Sequence, residues 1–582
     1  MLFHPVRKKI LRRTADSAGP GLPELPPLLQ RLYASRNVTD PAELDRSLSQ
    51  LPAPALLSGM AVMVDCLADA IRHDRKLLVI GDYDADGATA TAVAIKGLRA
   101  LGLRRIEYLV PNRFEYGYGL TPEIVELAAP RQPDILLTVD NGISSHEGVA
   151  AARVLGMRVL VTDHHLPGSS LPAADAIVNP NLPGEAFPSR ALAGVGVMFY
   201  VLMALRQHLR AEGHFERTAT PEPNLGQLLD LVALGTVADV VPLDRVNRIL
   251  VHQGLQRIRG GQAQPGVLAL LEAAGRKPAQ TTTADLGFFA GPRLNAAGRL
   301  DDMSLGIECL LAGTADAARE MAAELNELNR ARRGIEDQMR REALDILEGL
   351  DTEGAEDRAG LCLYREDWHQ GVVGLVASRI KDRIHRPVIA FAPADAEPGL
   401  LKGSARSIPG IHIRDVLADI ATRNPELLTR FGGHAMAAGL SIASERYEDF
   451  AVAFEAEVRR HAAEVDLEHA VHSDGPLNAG DLNLSTATLL ESAGPWGQAF
   501  PEPLFDGEFQ VRGSRIVGER HLKLVLQPNG SQDYLDAIAF GLDNPGQWLR
   551  CEGIRAAYRL DVNEFRGNRD LQLRIEYMES LG

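Results

Sequence analysis

The chain has 582 residues, which at about 150 residues per domain predicts three or four domains. Hydrophobic residues make up 45% and charged residues 24%, close to the average of soluble globular proteins, so the composition excludes wholesale disorder. The formal net charge of −16 argues against a surface covered by nucleic-acid contacts, although it leaves a local basic channel open.

Two classes of protein are disfavoured at the outset. The sequence contains no apolar run of about 18 residues, and its basic N-terminus lacks the apolar core of a secretory signal, so we expect neither a membrane span nor export. The four cysteines are scattered and form no CxxC pair, which disfavours structural zinc and disulfides and favours inert thiols in a reducing cytoplasm.

The first predicted elements follow a Pro- and Arg-rich segment of about 50 residues with one or two short helices. From Lys76 onward, short apolar strands alternate with helical stretches, which indicates a mainly parallel sheet covered on both faces. The strand segments are LLVIGDY (77–83), RIEYLVP (105–111), DILLTVDNG (134–142), RVLVTDHH (158–165) and AIVNP (176–180).

Downstream of the first sheet, helical stretches cover about 198–209 and 225–238, and an apolar stripe at helical spacing predicts one long helix from about 315 to 350. A second α/β pattern follows, and after about Val471 alternating segments predict a small β-barrel or sandwich. The expected division is an N-terminal segment (1–50), a first α/β domain (51–314), the connecting helix (315–350), a second α/β domain (351–465) and a β domain (466–582).

Acidic residues and histidines fall just after three of the predicted strands of the first sheet. They are Asp82, Asp84 and Asp86, then Asp140, then Asp163, His164 and His165. The carboxyl ends of parallel strands form the edge where open sheets bind ligands, so these side chains are expected to converge.

Acids gathered in a small volume need their charge compensated, and divalent cations do this well. Carboxylates with imidazoles and no thiolate favour Mn²⁺ or Mg²⁺, and a carboxylate shared by two ions would make a two-metal hydrolase. Taken singly, each motif also fits a simpler structural role. Any one acid after a strand is commonly a turn former or helix cap, and DYDADG resembles part of a calcium loop without its spaced glutamate.

The conjunction of motifs resembles the DHH phosphoesterase family, and within it the branch of single-strand-specific 5′→3′ DNA exonucleases. The carrying segments are DYDADG (82–87), PNRFEYGYG (111–119), TVDNG (138–142), DHH (163–165), GTVADVVPL (235–243), GPRLNAAGRL (291–300) and RFGGHAMAAG (430–439). This resemblance implies an α/β fold with two α/β domains, DHH and DHH-associated, joined by a long helix around a cleft. It also implies a C-terminal OB-fold β-barrel that handles single strands.

The resemblance further implies two Mn²⁺ or Mg²⁺ ions, whose ligands are named by position. One ion is expected on Asp86, Asp140, His164 and Asp239, and the other on Asp82, Asp84 and a bridging Asp140. Asp239 comes from the resemblance alone, because it follows a helical stretch rather than a strand. The catalytic set is then Asp140, His165 and Asp163. His165 steadies or protonates the leaving oxygen, or else orients a ligand, and Asp163 fixes a histidine tautomer.

Contacts with the DNA strand are expected in three places. A loop with Asn112, Arg113 and Tyr118, together with Phe114 and Tyr116, interleaves a cation and an amide with aromatic rings, although two of the rings could instead pack beneath it. A second group of donors fits either phosphate contact or helix-end salt bridges: Arg293, Asn295 and Arg299.

The resemblance implies a pocket for the 5′-phosphate in the second α/β domain. Its residues are Ser404, Arg406, Ser407, Gly432, Gly433 and His434, and the alternative is a glycine turn without a ligand.

Two further features do not decide where the chain binds single-stranded DNA. Five arginines of the long helix could follow the strand or form a solvated face: Arg330, Arg332, Arg333, Arg340 and Arg341. The β domain has 10 basic and 12 acidic residues between 504 and 582, so its charge does not reveal nucleic-acid binding. Its rings Phe509, Tyr534 and Phe565 are either stacking platforms or core.

The function that the resemblance implies is metal-dependent 5′→3′ exonuclease activity on single-stranded DNA, releasing 5′-mononucleotides in repair and recombination. The resemblance also implies single-stranded DNA, a helicase and a single-strand-binding protein as partners. We expect the chain to be a cytoplasmic monomer. One alternative is a DHH phosphodiesterase of short oligonucleotides or cyclic dinucleotides, whose members are typically shorter and lack the β domain. Another is a non-catalytic replication subunit, which would be expected to lose the metal carboxylates.

Overall fold

The computed structural model describes most of the chain, and the residues form two compact units. The described ranges are 8–13, 22–111, 116, 119–349, 358–394, 397–462, 470–542, 544–565 and 568–581. The larger unit contains Arg46–Leu467, and the smaller one combines Val6–Asp45 with Glu468–Gly582.

The strands, numbered here in chain order, and the α-helices have the following bounds. The strands are β1 (Lys9–Arg12), β2 (Leu77–Ile80), β3 (Ile106–Leu109), β4 (Ile135–Val139), β5 (Arg158–Thr162), β6 (Ala176–Val178), β7 (Leu361–Tyr364), β8 (Val388–Pro393), β9 (Leu400–Arg406), β10 (Arg430–Gly433), β11 (Ala437–Ala443), β12 (Ala470–Ser473), β13 (Phe505–Val517), β14 (His521–Pro528), β15 (Leu535–Ala539), β16 (Gly553–Phe565) and β17 (Asn568–Ser580). The α-helices are Pro27–Ala34, Met60–Arg72, Ala85–Ala100, Pro122–Ala128, His146–Val154, Gly194–Ala211, His214–Thr218, Leu229–Ala238, Arg245–Arg259, Pro265–Ala273, Thr283–Asp285, Gly291–Leu300, Ser304–Leu311, Ala315–Gly349, Val373–Ile384, Ile413–Arg423, Tyr447–His461 and Leu484–Ala493.

The first sheet of the larger unit has the order β3-β2-β4-β5-β6, and every neighbouring pair is parallel. Apolar side chains such as Ile124, Val125 and Val149 cover one face from the helices beside it. The direction in which strands are added reverses between β2 and β4. In open parallel sheets, the crevice at such a reversal is where ligands bind. The fold class predicted from the alternating pattern is confirmed.

The helix Ala315–Gly349 links the two α/β parts of the larger unit. Its early residues, such as Ala318, Ala322 and Leu325, are fully buried, and its later residues Met339 and Ala343 belong to the core of the second sheet. That sheet has the order β10-β11-β9-β8-β7, in which only β7 and β8 are parallel. The helix therefore packs in both cores.

The smaller unit is built around a closed barrel of order β13-β14-β15-β17-β16. The N-terminal segment joins it, because β1 pairs in parallel with β12 and Arg36 forms a buried ion pair of 3.0 Å with Asp474. Tyr33 stacks near Trp496 and Phe500. Residues from both ends of the sequence thus share one core.

Among the described residues, no single helix is long and apolar enough to cross a membrane. One pair of segments, Leu48–Leu56 and Met60–Arg72, reaches that length and apolar character only when its two parts, bent by 90°, are taken together.

Candidate active site and metal centre

The acidic segment after β2 begins the site. Asp84 caps the helix Ala85–Ala100 by accepting the Gly87 N–H at 2.9 Å, so the helix begins directly after this acid. Asp86 lies in the first turn, and its carboxylate accepts the N–H groups of Gly194 (2.6 Å) and Val195 (3.0 Å). Burial, followed by the charge of Asp84, nevertheless raises the pKa of Asp86 to about 7.

Asp140 follows β4 on the other side of the crevice. Its φ of +63° is left-handed, a conformation that costs a non-glycine residue roughly 1–3 kcal/mol and is concentrated at functional sites. A Cβ at Gly194 would lie 2.6 Å from the Asp140 side chain, so a glycine is needed for this approach. Burial, and then the charges of Asp86 and other acids, raise the pKa of Asp140 well above its ordinary value.

His164 reaches the same point from the end of β5. Its Nε2 lies 3.1 Å from Asp140 Oδ1, 3.5 Å from Asp239 Oδ2 and 4.0 Å from Asp86 Oδ2. Burial, and then the charge of His165, lower the pKa of His164 to about 3, so the ring is neutral as a metal ligand must be. Asp239 lies directly after the helix Leu229–Ala238, and burial with the charge of Asp86 raises its pKa well above the ordinary value.

His165 and Asp163 form a separate pair beside this cluster. Asp163 Oδ1 lies 2.7 Å from His165 Nδ1, and the other carboxylate oxygen accepts the Ile143 N–H at 2.9 Å. Burial alone would lower the pKa of His165, but the hydrogen bond and charge of Asp163 outweigh it and raise the pKa to about 9. For Asp163, the effect of burial is likewise outweighed by His165, which lowers the pKa of the carboxyl. The pair is therefore ionised.

The acids and histidines meet closely enough to hold cations. Ligand atoms lie within 4.8 Å of one another in three sets: Asp86, His164 and Asp239; Asp82, Asp84 and Asp140; and Asp140, His164 and His165. Burial and the charges of neighbouring acids raise the pKa values of Asp86, Asp140 and Asp239, and a bound cation would favour their ionised forms. Carboxylate oxygens with one neutral imidazole suit Mn²⁺ or Mg²⁺, so the donor set fits a divalent centre.

Three side chains hold the loops of the site in place. Asn295, which was predicted to contact phosphate, accepts the Ala85 N–H at 2.7 Å through its Oδ1. The amides of Asn179 and Asn181 donate to the carbonyl oxygens of His165 (2.9 Å) and His164 (2.6 Å). Both asparagines follow β6 at the ligand-binding sheet edge, a position from which sheet geometry could have found them.

The other residues of the first α/β domain that were predicted to contact the DNA strand lie in different surroundings. Arg293 is buried and donates to the Phe289 carbonyl at 2.7 Å and to Asn326 at 3.1 Å. Arg299 donates to the Gly371 carbonyl at 3.1 Å. Tyr116 packs against the core of the first sheet. The remaining predicted residues of its loop lie outside the described residues: Asn112, Arg113, Phe114 and Tyr118.

The predicted pocket of the second α/β domain lies next to the acidic cluster. The ring of His434 stacks on that of His165, with centroids 5.8 Å apart. A Cβ at Gly374 would lie 2.8 Å from both Ser404 Oγ and Arg406 Nη2, which places these donors over the first turn of the helix Val373–Ile384. Such turns attract anions.

Other members of the predicted pocket have structural contacts. Gly432 and Gly433 lie in β10, and Gly433 has a φ of +149° with Ala437 O only 2.4 Å from an added Cβ. Ser407 is buried, and its hydroxyl donates to the Ile411 carbonyl at 2.7 Å. These three residues shape the loop beside His434.

The arginines of the long helix and the aromatic rings of the β domain differ in their exposure to solvent. On the long helix, Arg332 is buried against Glu336, and Arg330 and Arg340 pair with acids three residues earlier, while Arg333 and Arg341 are exposed. In the barrel, Phe509 is core and Tyr534 is exposed. The side chain of Phe565 lies outside the described residues.

Comparison with known proteins supplies independent findings. Family profiles match at residues 76–236 (DHH family, N-terminal domain), 358–460 (DHHA1 domain) and 473–577 (RecJ OB domain). The chain is 53% identical to the single-stranded-DNA-specific exonuclease RecJ of Salmonella typhimurium over 98% of this chain and 99% of that one. It is 50% identical to the Haemophilus influenzae protein of the same name, over 99% and 100%.

Solved structures agree with these relatives. RecJ of Thermus thermophilus in complex with Mn²⁺ has a TM-score of 0.79 at 30% identity, covering 99% of this chain and 80% of that one. An exonuclease RecJ bound to manganese has a TM-score of 0.59 at 34% identity, covering 72% and 99%. The chain belongs to the RecJ family of DHH phosphoesterases.

Proposed function

We propose that this chain is a metal-dependent exonuclease that degrades single-stranded DNA from the 5′ end and releases 5′-mononucleotides. The observation that carries the proposal is the pair of donor sets that meet at Asp140, with Asp86, His164 and Asp239 on one side and Asp82 and Asp84 on the other. Relatives over nearly the full length are named single-stranded-DNA-specific exonucleases, which supports the same substrate here.

Two Mn²⁺ or Mg²⁺ ions are assigned to this centre. Asp86, Asp140, His164 and Asp239 would hold one ion, and Asp82, Asp84 and Asp140 the other. When bound, such ions activate water and neutralise charge on the phosphoryl oxygens. The N–H groups of Gly194 and Val195 keep Asp86 turned toward this point, so the site is held in place before an ion arrives.

His165 is assigned to the leaving oxygen. Its raised pKa keeps the ring protonated at neutral pH, and its Nδ1 is held by Asp163. The protonated ring would stabilise the developing negative charge and pass a proton from Nε2 to the 3′-oxygen. Asp163 acts through His165 and is a positioning residue.

The 5′-phosphate is assigned to Ser404, Arg406 and His434, beside His165. A guanidinium recognises phosphate through paired hydrogen bonds, and a helix N-terminus adds favourable dipoles. Arg406→Ala should weaken use of 5′-phosphorylated strands about tenfold while sparing 5′-hydroxyl strands. The matched control is Lys402→Ala on the same strand β9, and equal losses on both kinds of end would remove the assignment.

One assay tests the main proposal. The protein is incubated with Mn²⁺ and 5′-phosphorylated oligonucleotides, either single-stranded or in blunt duplexes, and the products are separated. Mononucleotides released from long single strands are expected. Turnover confined to strands of two to five nucleotides would instead identify a short-oligonucleotide phosphodiesterase, and binding without turnover a non-catalytic subunit.

The cellular setting completes the proposal. Because the substrate is single-stranded, a helicase that opens duplexes and a single-strand-binding protein that presents strands are the expected partners, in DNA repair and recombination in the cytoplasm. A monomer suffices, since the donor sets of the metal centre all come from one chain. Light scattering with and without strand would test the monomer.

A further inference from the structure

An exposed aromatic side chain lies on an unusual turn near the acidic cluster. Leu286–Ala290 form a π-helical turn, a rare conformation found frequently at functional sites. Within it, Phe288 is 72% exposed to solvent, although a phenylalanine ring is strongly apolar. The mechanism described above does not use this ring.

Glycine contacts place the turn against the metal centre. A Cβ on Gly287 would lie 3.3 Å from Val237 Cγ1, and one on Gly291 would lie 2.9 Å from Ala238 Cβ. Val237 and Ala238 are the two residues before Asp239, whose carboxylate lies 3.5 Å from His164. The turn with Phe288 therefore packs on the last helical turn before a predicted metal ligand.

Val240 is a second exposed apolar residue at this place. It follows Asp239, is 62% exposed and has a φ of +61°. A β-branched residue in the left-handed region is an outlier, and such outliers cluster at ligand-binding sites. Two exposed apolar side chains, Phe288 and Val240, thus flank the contact between the π-helical turn and the helix before Asp239.

Two arginines contact the turn: Arg276, which also forms an ion pair with Asp285, and Arg293. Phe289 lies under the Arg276 guanidinium, 4.6 Å from the ring centroid, and its carbonyl accepts a hydrogen bond from Arg293. Exposed Arg330 and Arg333 of the long helix lie close enough to Arg293 for their charges to add to the effect of burial in lowering its pKa. The turn that carries Phe288 therefore packs on the helix before Asp239 and has arginines among its neighbours.

An aromatic ring beside cations is the combination by which proteins bind single strands without sequence preference, because every base has a face that can stack. Resting on the proposed function, we propose that Phe288 stacks on a nucleobase of the strand whose phosphate lies at the acidic cluster, and that Val240 contacts the same base. The two side chains are substrate-positioning residues. Their occupant is a base of any sequence, held by its flat face.

Abasic strands test this contact directly. A series of 5′-phosphorylated oligonucleotides, each lacking one base at a successive position from the 5′ end, is digested with Mn²⁺. With the unaltered chain, an abasic residue at one position should raise KM about tenfold, the size expected for a stacked base. Phe288→Ala should raise KM about tenfold on the intact strand and remove the penalty at that abasic position, whereas Phe288→Trp should keep it.

Controls separate stacking from other causes. Val452→Ala removes an equally exposed apolar side chain from the helix Tyr447–His461 and should change nothing. Thermal unfolding of each variant checks that the fold is intact. An abasic penalty that persists in Phe288→Ala, or a Phe288→Ala variant with unaltered KM, would overturn the contact and leave the ring to a protein partner.

A binding readout distinguishes this inference from the proposed function. Fluorescence anisotropy in the presence of EDTA measures strand affinity without turnover, and Phe288→Ala should bind the intact strand about tenfold more weakly. Absence of turnover together with this binding difference would overturn the exonuclease proposal alone. Turnover with no effect of Phe288 in either assay would overturn the stacking alone.

Discussion

Buried carboxylates occur in both units of the chain, with opposite electrostatic consequences. In the smaller unit, the side chains of Asp474 and Asp506 are each 1% exposed and paired with arginines, Arg36 at 3.0 Å and Arg12 at 2.7 Å. Burial would raise their pKa values, but the arginines outweigh it and lower them. In the larger unit, Asp86 is equally buried and has a raised pKa.

The difference lies in where the countercharge of each carboxylate is found. Asp474 has its countercharge in the chain, so it contributes to the fold as soon as Arg36 is in place. Asp86 and Asp140 face other acids, so their countercharge must come from solution. Burial alone does not point to a metal site, whereas burial of a carboxylate among other acids makes it a candidate metal ligand.

The largest expected effect is on Asp140, which both proposed ions share. Asp140→Asn should lower turnover at least a thousandfold, about 4 kcal/mol, at any Mn²⁺ concentration. Mn²⁺ should no longer raise the melting temperature of this variant, which should melt close to the metal-free unaltered chain. Ordinary activity in Asp140→Asn, measured by mononucleotide release, would reject the bridging role.

Asp474→Asn should affect the fold instead. The buried Arg36 would lose its countercharge, which is expected to cost about 3–5 kcal/mol in the free energy of unfolding of the smaller unit. Chemical denaturation followed by Trp496 fluorescence measures this loss. The control is Asp536→Asn, where the half-exposed pair with Lys523 should contribute less than about 1 kcal/mol. Similar losses in the two variants would contradict the comparison.

Asp163 is an intermediate case, a buried carboxylate of the site that has its own cation. Asp163→Asn should reduce turnover about 10- to 100-fold through His165. Since Asp163 raises the pKa of His165, its loss should shift the alkaline limit of activity to lower pH. A rate profile from about pH 6 to 10, a range that brackets the titration of His165, measures both effects. Asp175→Asn, in the same domain, should leave the profile unchanged.

The smallest expected effect concerns protons that compete with metal. The pKa of Asp86 is raised to about 7, so its carboxyl is protonated below that pH. The bound proton makes the metal-free fold more stable at low pH, and this stabilisation is lost as the pH rises through 7. Mn²⁺ must displace this proton, so its affinity should rise about tenfold per pH unit per released proton between pH 6 and 7. Titration calorimetry measures this slope, and an affinity independent of pH would contradict it.

Local pattern was enough to predict much of the sheet and part of the site. Alternating strands and helices predicted a parallel sheet, and its ligand-binding edge follows from geometry, so the pattern of residues alone could bring Asp82, Asp140 and His164 together. The apolar stripe likewise predicted the helix that the structure shows at Ala315–Gly349. These features depend on residues near in sequence.

What could not be predicted depends on tertiary packing. The N–H groups of Gly194 and Val195 that hold Asp86 belong to a helix start with no local signal of its role. Asp239 follows a helix rather than a strand, so sheet geometry could not place it. Arg293 has the residue type of a phosphate ligand, but helix packing buries it.

The pairing of β1 with β12 has a consequence for synthesis. Arg13 and Asp474, which form an ion pair of 3.3 Å, are 461 residues apart. At about 5–20 residues per second, a ribosome needs roughly 20–90 s to cover that distance. Throughout this interval Arg36 lacks its countercharge Asp474, and Tyr33 of the helix Pro27–Ala34 lacks Trp496 and Phe500. The N-terminal segment can therefore complete its packing only after the larger unit has been synthesised.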